Sequence, residues 1–352
     1  MTLTNFPFDP LLDLAPWVGQ RQATYRFRLV NGVTGVEKGD IHPIRGASLT
    51  HDTSRTIKRQ LQMDFGVYDT SYVDTIQDRV LLYMTFPNGA EYPLGRYMFT
   101  DSSRQVFTSG KLANVVLNDE MFLVDQQIIT GIDAKNKGVD TVIKRILDDL
   151  PIQYRIESAS YVAAESWNMG TGRGQVLESL CVSGDYFSPW FDNEGTMRFI
   201  RSFDPATKVP DFDFDAGNSV LRNSINETDD LLTAPNVFIV ISNAANDFSQ
   251  PVVGRATVPP TAPHSEFNRG FQIPVQFDLQ VTDSATATAV ANNLANRQTI
   301  FERVALNTAP DPRHDSYNVI HWQGDLWLEL AWSMALVEGG TMGHLMRKAY
   351  KQ

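Results

Sequence analysis

The sequence has a single cysteine, Cys181, in 352 residues. No intrachain disulfide can form, so stability has to come from packing or assembly. It also lacks an excess of positive charge. Thirty Lys and Arg against 41 Asp and Glu leave a net charge of −11, which excludes a broad basic surface for gripping nucleic-acid phosphates. Long apolar runs are missing as well. Stretches such as Val80 to Tyr83 fall far short of the roughly 20 residues that cross a bilayer, so no membrane insertion by this chain is expected. Met1 to Pro16 has neither a basic segment nor a continuous apolar run and does not read as a secretory signal. Pro7, Pro10 and Pro16 exclude a long helix there, yet Phe6, Phe8, Leu11, Leu12 and Leu14 would be costly to leave in water. An extended arm docked on its own core or on a neighbour is expected.

What is present is a composition, 42% hydrophobic and 20% charged, that suits a sizeable core and two or three domains and excludes disorder. From Tyr25 to Gln126 the period is mostly two. Tyr25, Phe27 and Leu29 alternate with Arg26 and Arg28, as in a half-buried strand. Ile57, Leu61, Met63 and Phe65 share a face that Arg59 interrupts, with Lys58, Gln60, Gln62 and Asp64 opposite. Arg79 to Phe86 is apolar on both faces, and Pro87-Asn88-Gly89 supplies a turn before the strand Leu94 to Thr100. With no helix-length segment interposed, a barrel or compact sandwich is predicted.

After Gly131 the period changes. Val139, Val142, Ile143, Ile146, Leu147 and Leu150 fall on one face of a helix that Pro151 closes. A short strand, Gln153 to Glu157, leads to Gly170-Thr171-Gly172-Arg173-Gly174 and a helix around Gln175 to Ser183. A hairpin then joins Tyr186–Asp192 to Thr196–Phe203 through Asp192-Asn193-Glu194-Gly195. Residues 201–250 hold eight acids and three bases, so their neighbours must be water or basic groups. Val237 to Ile241 is β-prone, Gln250 to Arg269 with its four prolines reads as a long loop, and Gln272 to Val281 re-enters a sheet. Asp283 and Ser284 are cap candidates for an alanine-rich helix running through Asn292, Leu294, Phe301 and Val304 towards Leu306. Tyr317 to Val337 reads as strands whose Trp322, Trp327 and Trp332 invite burial or an interface.

Recognisable reaction centres are absent. The glycine-rich link Gly170 to Gly174 lacks the Gly-Lys-Ser/Thr ending of a phosphate loop and reads as a connector into a helix. His42, His51, His264, His314, His321 and His344 show no HExxH and no close ligand pair, and Cys181 has no cysteine partner nearby. Asp311-Pro312-Arg313-His314-Asp315 could serve acid–base chemistry, but a polar loop between helix and strand needs those residues in any case. Cys181 behind Leu177 and Leu180 reads as a small buried hydrophobe. Ser54, Ser103 and Ser183 lack the Gly-x-Ser-x-Gly elbow. Asp211, Asp213 and Asp215 alternate along a strand opposite Phe212 and Phe214, which favours exposure or a basic partner, with a calcium site as the minor reading. The six Trp and 11 Tyr could build a sugar platform, though cores and interfaces are their commoner use. No catalytic, cofactor-binding or metal residue is assigned, and no enzyme is expected.

The order of elements resembles the tail hub, or baseplate hub, family of bacteriophages, specifically the tail-tip protein of long-tailed phages of actinobacterial type. The markers are Tyr92-Pro93-Leu94-Gly95-Arg96-Tyr97, the helix Val139 to Leu150 followed by the Trp190 to Phe203 hairpin, Ala234-Pro235-Asn236-Val237-Phe238-Ile239-Val240, and Asp311 to Asp315 running on to Asn318-Val319-Ile320. The resemblance implies a mixed α+β, mainly β fold with two tube-type β-barrels and a small α+β domain. The implied division is an arm over 1–17, a first barrel over 18–125 and a peripheral domain over 126–203. A second barrel with its packed helix and the long loop 250–269 would take 204–347, and a tail 348–352. It further implies a homotrimeric ring with apparent six-fold symmetry at the distal end of a virion tail, assembled in the host cytoplasm. Partners would be the distal tail or tail-tube protein, the tape measure protein and tip or fibre proteins, with DNA passing without specific binding. Wall cleavage, which some hubs perform with added domains, is expected of another tail protein. A host-wall carbohydrate or receptor-binding module is the alternative.

Overall fold

Alternation along Phe27 and Leu29, both buried, with Arg26 and Arg28 turned outward starts the fold at β1 (Thr24–Asn31). The computed structural model describes residues 23–66, 73–87, 89–107, 110–163, 165–215, 220, 225–229, 233–242, 251–279, 281, 283–298 and 302–349. The arm expected over 1–17 and the last three residues lie outside them. Strand β1 pairs with β2 (Glu37–Ile41) and β5 (Asp78–Thr85), and β5 with β6 (Glu91–Phe107). Strand β6 pairs with β7 (Gly110–Asp119), β7 with β4 (Arg59–Gly66), and β4 with β3 (Pro43–Asp52), all antiparallel. Where β6 bulges against β5, Gly95 takes φ +123°, and a Cβ there would lie 2.6 Å from the Tyr97 hydroxyl, itself fixed on the Leu94 carbonyl at 2.6 Å.

The sheet does not stop at β3. Its outer edge pairs with β18 (Asp325–Ala335) from the other end of the chain, in the register Ala331 to Asp52 through Ala335 to Ser48. Beyond β18 come β19 (Met342–Lys348), β16 (Glu302–Thr308) and β12 (Asn226–Asp229), with β17 (Val319–Trp322) as a hairpin partner of β18 and β11 (Phe212–Asp213) beside β17. Among the described residues, thirteen strands thus form one sheet. The core follows the backbone across this seam. Trp332, Met334, Leu336 and Met342 pack in the same apolar cluster as Leu49, Leu61, Val80, Leu82 and Leu117, each such side chain contributing about 1.5–3 kcal/mol by leaving water.

Between the two halves lie α1 (Met121–Val124), α2 (Val139–Leu147) and α3 (Arg173–Gly184), with β8 (Gln153–Ile156), β9 (Trp190–Phe191) and β10 (Thr196–Phe199). The spacing read from the sequence holds: Val139, Val142, Ile143, Ile146 and Leu147 are all buried, and Cys181 sits with Leu177 and Leu180 in the same cluster. Gly172 is the N-cap residue of α3, the helix lead-in expected of the glycine-rich link.

Three expectations about the C-terminal half are corrected. The long loop predicted over 250–269 contains a strand, β14 (Val252–Thr257). Pro251 precedes it and Pro259 and Pro260 follow it, so the prolines bracket a ladder rather than break one. Strand β14 pairs with β13 (Val237–Ser242), and β13 pairs in parallel with β15 (Pro274–Asp278); these three make a separate sheet instead of joining the large one. The helix expected to run towards Leu306 is α5 (Ser284–Gln298), whose start is capped by Asp283 accepting from the Thr286 amide at 2.8 Å. Val304 and Leu306 instead alternate with the half-buried Ala305 and Asn307 on β16. The loop Asp311 to Asp315 therefore joins two strands. A short helix, α4 (Glu266–Arg269), lies between β14 and β15.

The alanine face of α5 lies directly on β14. A Cβ on Gly254 would fall 2.1 Å from the Ala287 carbonyl carbon. Gly254→Ala is expected to lower stability by at least about 1–3 kcal/mol, the usual cost of overpacking, because backbone rather than a flexible side chain blocks it. Urea unfolding of the variant beside the wild type measures this.

Candidate functional site

The seam has two faces. Inward lie Leu49, Trp332 and Met334. On the outward face two rows of side chains cross four strands: Ser333, Thr50, Gln60 and Asn118, and beside them Ala335, Ser48, Gln62 and Val116. None of the eight can ionise, in a chain with 20% charged residues. Gln60 donates to Asn118 Oδ1 at 3.3 Å and Asn118 to Thr100 Oγ1 at 2.9 Å. A shallow polar pocket of about 310 Å³ opens at the end of these rows, lined by Gly46, Ser48, Gln62, Asp64, Asn114 and Val337 among others.

Behind the seam the parts of the chain meet at Arg59, which is fully buried although it lies on β4. Its Nη1 donates to Asn193 Oδ1 at 2.6 Å and its Nη2 to Asp315 Oδ1 at 2.5 Å, while the guanidinium stands 5.5 Å from the Trp332 ring. Asp315 Oδ1 also accepts from Trp190 Nε1 at 2.8 Å, and Asn193 donates to the carbonyls of Pro312 and His314. One cation thereby ties β4, the β9–β10 hairpin and the loop before β17. Burial acts against its charge and Asp315 restores it, so the net shift of Arg59 is upward. Burial pushes Asp315 up to about 6 against the pull of Arg59. Asp119, which accepts the Arg59 amide at 3.1 Å and the Met121 amide at 3.0 Å, is likewise raised by burial to about 6. Next to this junction His51 stacks on Trp332 and shares a 2.7 Å hydrogen bond with Ser316 Oγ; burial, then Arg59 and Lys58, hold its imidazole well below its usual value. Lys58 donates to Ser188 Oγ at 2.7 Å, and Ser188 donates to Glu178.

The three alternating acids find their partners along β17. Asp211 accepts from the Val319 amide and Lys208, Asp213 meets His321 Nδ1 at 3.1 Å, and Asp215 accepts from the amides of Gln323 and Gly324. The exposure and basic partner expected for them are found, Lys208 beside Asp211 and His321 beside Asp213 and Asp215, with backbone amides added. Asp213, Asp215 and His321 do bring ligand atoms within 4.8 Å of one another at the surface, but Asp211 turns away to Lys208. A calcium ion takes six to eight oxygens, more than this corner gathers. On the opposite face Phe212 stacks flat on His314, rings 3.9 Å apart and 4° from parallel.

His314 and His344, which no sequence spacing pairs, converge in the fold with their ring centroids 4.7 Å apart. Each directs Nδ1 at one oxygen of Glu329, at 2.9 and 2.6 Å, and Thr308 Oγ1 lies 2.8 Å from His344 Nε2. All four residues are 3% exposed or less. His264 is buried, His42 is exposed, and Ser54 is exposed with its hydroxyl on Asp52. Ser183 donates to the Ser179 carbonyl, as helix serines commonly do, and Ser103 falls on β6. Sequence reasoning passed over Glu329, Asn193 and Asp119. The one signal for this region was Arg59, a charge on an otherwise apolar face.

No protein-family model matches the chain, and no curated protein does. Solved structures do. The tail protein from Neisseria meningitidis MC58 has a TM-score of 0.64 at 11% identity, covering 92% of this chain and 96% of its own. Prophage tail protein gp18 from Listeria monocytogenes EGD-e gives 0.59 at 7% identity, covering 93% and 95%. The E. coli c3393 protein, a component of the type VI secretion system with structural similarity to the T4 phage tail proteins gp27 and gp5, gives 0.51 at 10% identity, covering 95% and 76%. This chain has the fold of phage tail proteins over nearly its whole length.

Two outcomes follow from the junction. Arg59→Ala leaves buried partners without their cation and is expected to cost about 3–5 kcal/mol in chemical denaturation, whereas Arg55→Ala, an exposed pair with Asp52, changes stability by less than about 0.5 kcal/mol. Asp119 has its folded value raised from 3.8 to about 6. Its contribution is therefore complete below the unfolded value and lost as pH rises through about 6. Asp119→Asn should flatten the fall in stability from about pH 4 to about pH 7 by about 2–3 kcal/mol, read from denaturation midpoints across that range.

Proposed function

We propose that this chain is the structural hub of a phage tail. Three copies close into a ring of apparent six-fold symmetry at the distal end of the tail tube, where the ring joins tube protein to tip or fibre proteins. The observation that carries the reading is the pairing of β3 with β18. It sets strands from the two ends of the chain side by side in one sheet, which supports reading residues 18–125 and 204–347 as two β-rich units that each copy brings to a ring. The shared fold with phage tail proteins along nearly the whole chain supports it. Among the described residues, strands β2 and β12 end the sheet order, and strand edges of this kind are what a neighbouring copy would cover.

The uncharged rows over the seam suit the wall of a passage. Duplex DNA carries a phosphate charge about every 1.7 Å of its axis, and Ser48, Thr50, Gln60 and Gln62 offer it neither a cation to hold it nor a dense acidic field to stop it. Three copies at −11 each leave the ring acidic elsewhere. The narrower placements, a phage of actinobacteria and contact with the tape measure protein, belong to this proposal and rest on the order of sequence motifs. No catalytic step is assigned.

Sedimentation of the purified protein with its tail-tube protein tests the reading: a species containing three copies supports it, and a single copy persisting after tube and tip proteins are added overturns it. Ser48→Lys combined with Gln62→Lys is expected to leave folding and ring formation unchanged while making the ring retain DNA at low salt and release it at high salt. Equal retention by the wild type would remove these rows from the wall.

A further inference from the structure

Glu329 is a carboxylate 1% exposed on β18, and among the described residues its ion-pair partners are two imidazoles, both in ring contact with Phe214. A buried carboxylate needs a compensating positive charge. The three side chains come from separate segments: His314 from the loop before β17, Glu329 from β18 and His344 from β19. Their donor atoms all lie within 4.8 Å of one another. One ligand atom from each residue is thus close enough to the other two for small side-chain movements to bring all three onto a single ion at the 2.0–2.1 Å of a zinc–imidazole bond. The rings are also held as ligand rings are. His344 Nε2 is fixed by Thr308 Oγ1 at 2.8 Å, and His314 is clamped flat against Phe212. Outer partners of this kind orient and tune metal-bound histidines.

From this geometry we infer that His314, Glu329 and His344 form a structural site for a divalent transition metal, with zinc the best fit. Two imidazoles and one carboxylate offer two nitrogens and an oxygen, a set that suits zinc and not magnesium or calcium, cations that require six or more oxygens or near-octahedral water. Burial leaves no open position for substrate, so the ion's role is to pin the loop carrying Asp311 to Asp315 onto β18 and β19, and it would bind as the chain folds. The exposed group Asp213, Asp215 and His321 is not part of it.

The test uses the full chain, treated with chelator, dialysed and titrated with zinc. One tightly held zinc per chain by elemental analysis, a raised melting temperature, and a visible ligand-field absorption when cobalt replaces zinc are expected. His344→Ala should abolish all three and His321→Ala none. Thr308→Val, which removes only the orienting hydroxyl, should weaken zinc binding about 10–100-fold. A wild-type chain that binds no zinc at one per chain, or whose stabilisation by zinc survives His344→Ala, overturns the inference. The wild-type count stands even where a variant fails to fold.

Discussion

The backbone pairing of β3 with β18 is the constraint on which the rest of this fold depends. Five residue pairs, Ser48 to Asp52 against Ala335 to Ala331, join segments nearly three hundred residues apart. A strand edge in a sheet demands a partner for its amides and carbonyls. Here each half of the molecule supplies the other's. Because side chains alternate along both strands, the same register that closes the ladder sends Trp332 and Met334 into the first half's core and leaves Ser333 and Ala335 on the open face. A slip of one residue would exchange those faces.

Arg59 explains why the register does not slip. Buried cations are costly, and this one persists because Asp315, Asn193 and the Trp332 ring are all positioned to meet it. Those partners come from the loop before β17, the central hairpin and β18, so the guanidinium is satisfied only when the three parts of the chain are assembled in one arrangement. Asp119 on β7 holds the Arg59 backbone from the far side. The charge contributes specificity of assembly more than raw stability.

Much of this was legible in the sequence. The period-two pattern around Tyr25 to Leu29 and the helical spacing from Val139 to Leu147 depend on local burial, and local burial is written in neighbouring residues. The interrupted face at Arg59 was legible as an anomaly, though not its partners, because Asn193 and Asp315 reach it through tertiary contact. The strand Val252–Thr257 hid among prolines that turned out to flank it. Val304 and Leu306 were assigned to a helix because an alanine-rich run preceded them, although with Thr308 they already alternate at period two. Glu329 carried no signal at all: its histidines lie on other segments, and no spacing rule connects a loop, β18 and β19 across a sheet.

The most direct test of the account is a cryo-electron microscopy map of the assembled tail tip. The account predicts three copies around a passage, with Thr50, Gln60 and Ser333 facing the axis and the β2 and β12 edges covered by neighbouring copies. A map in which the paired β3 and β18 face outward, or in which those two edges stand bare in solvent, would contradict it.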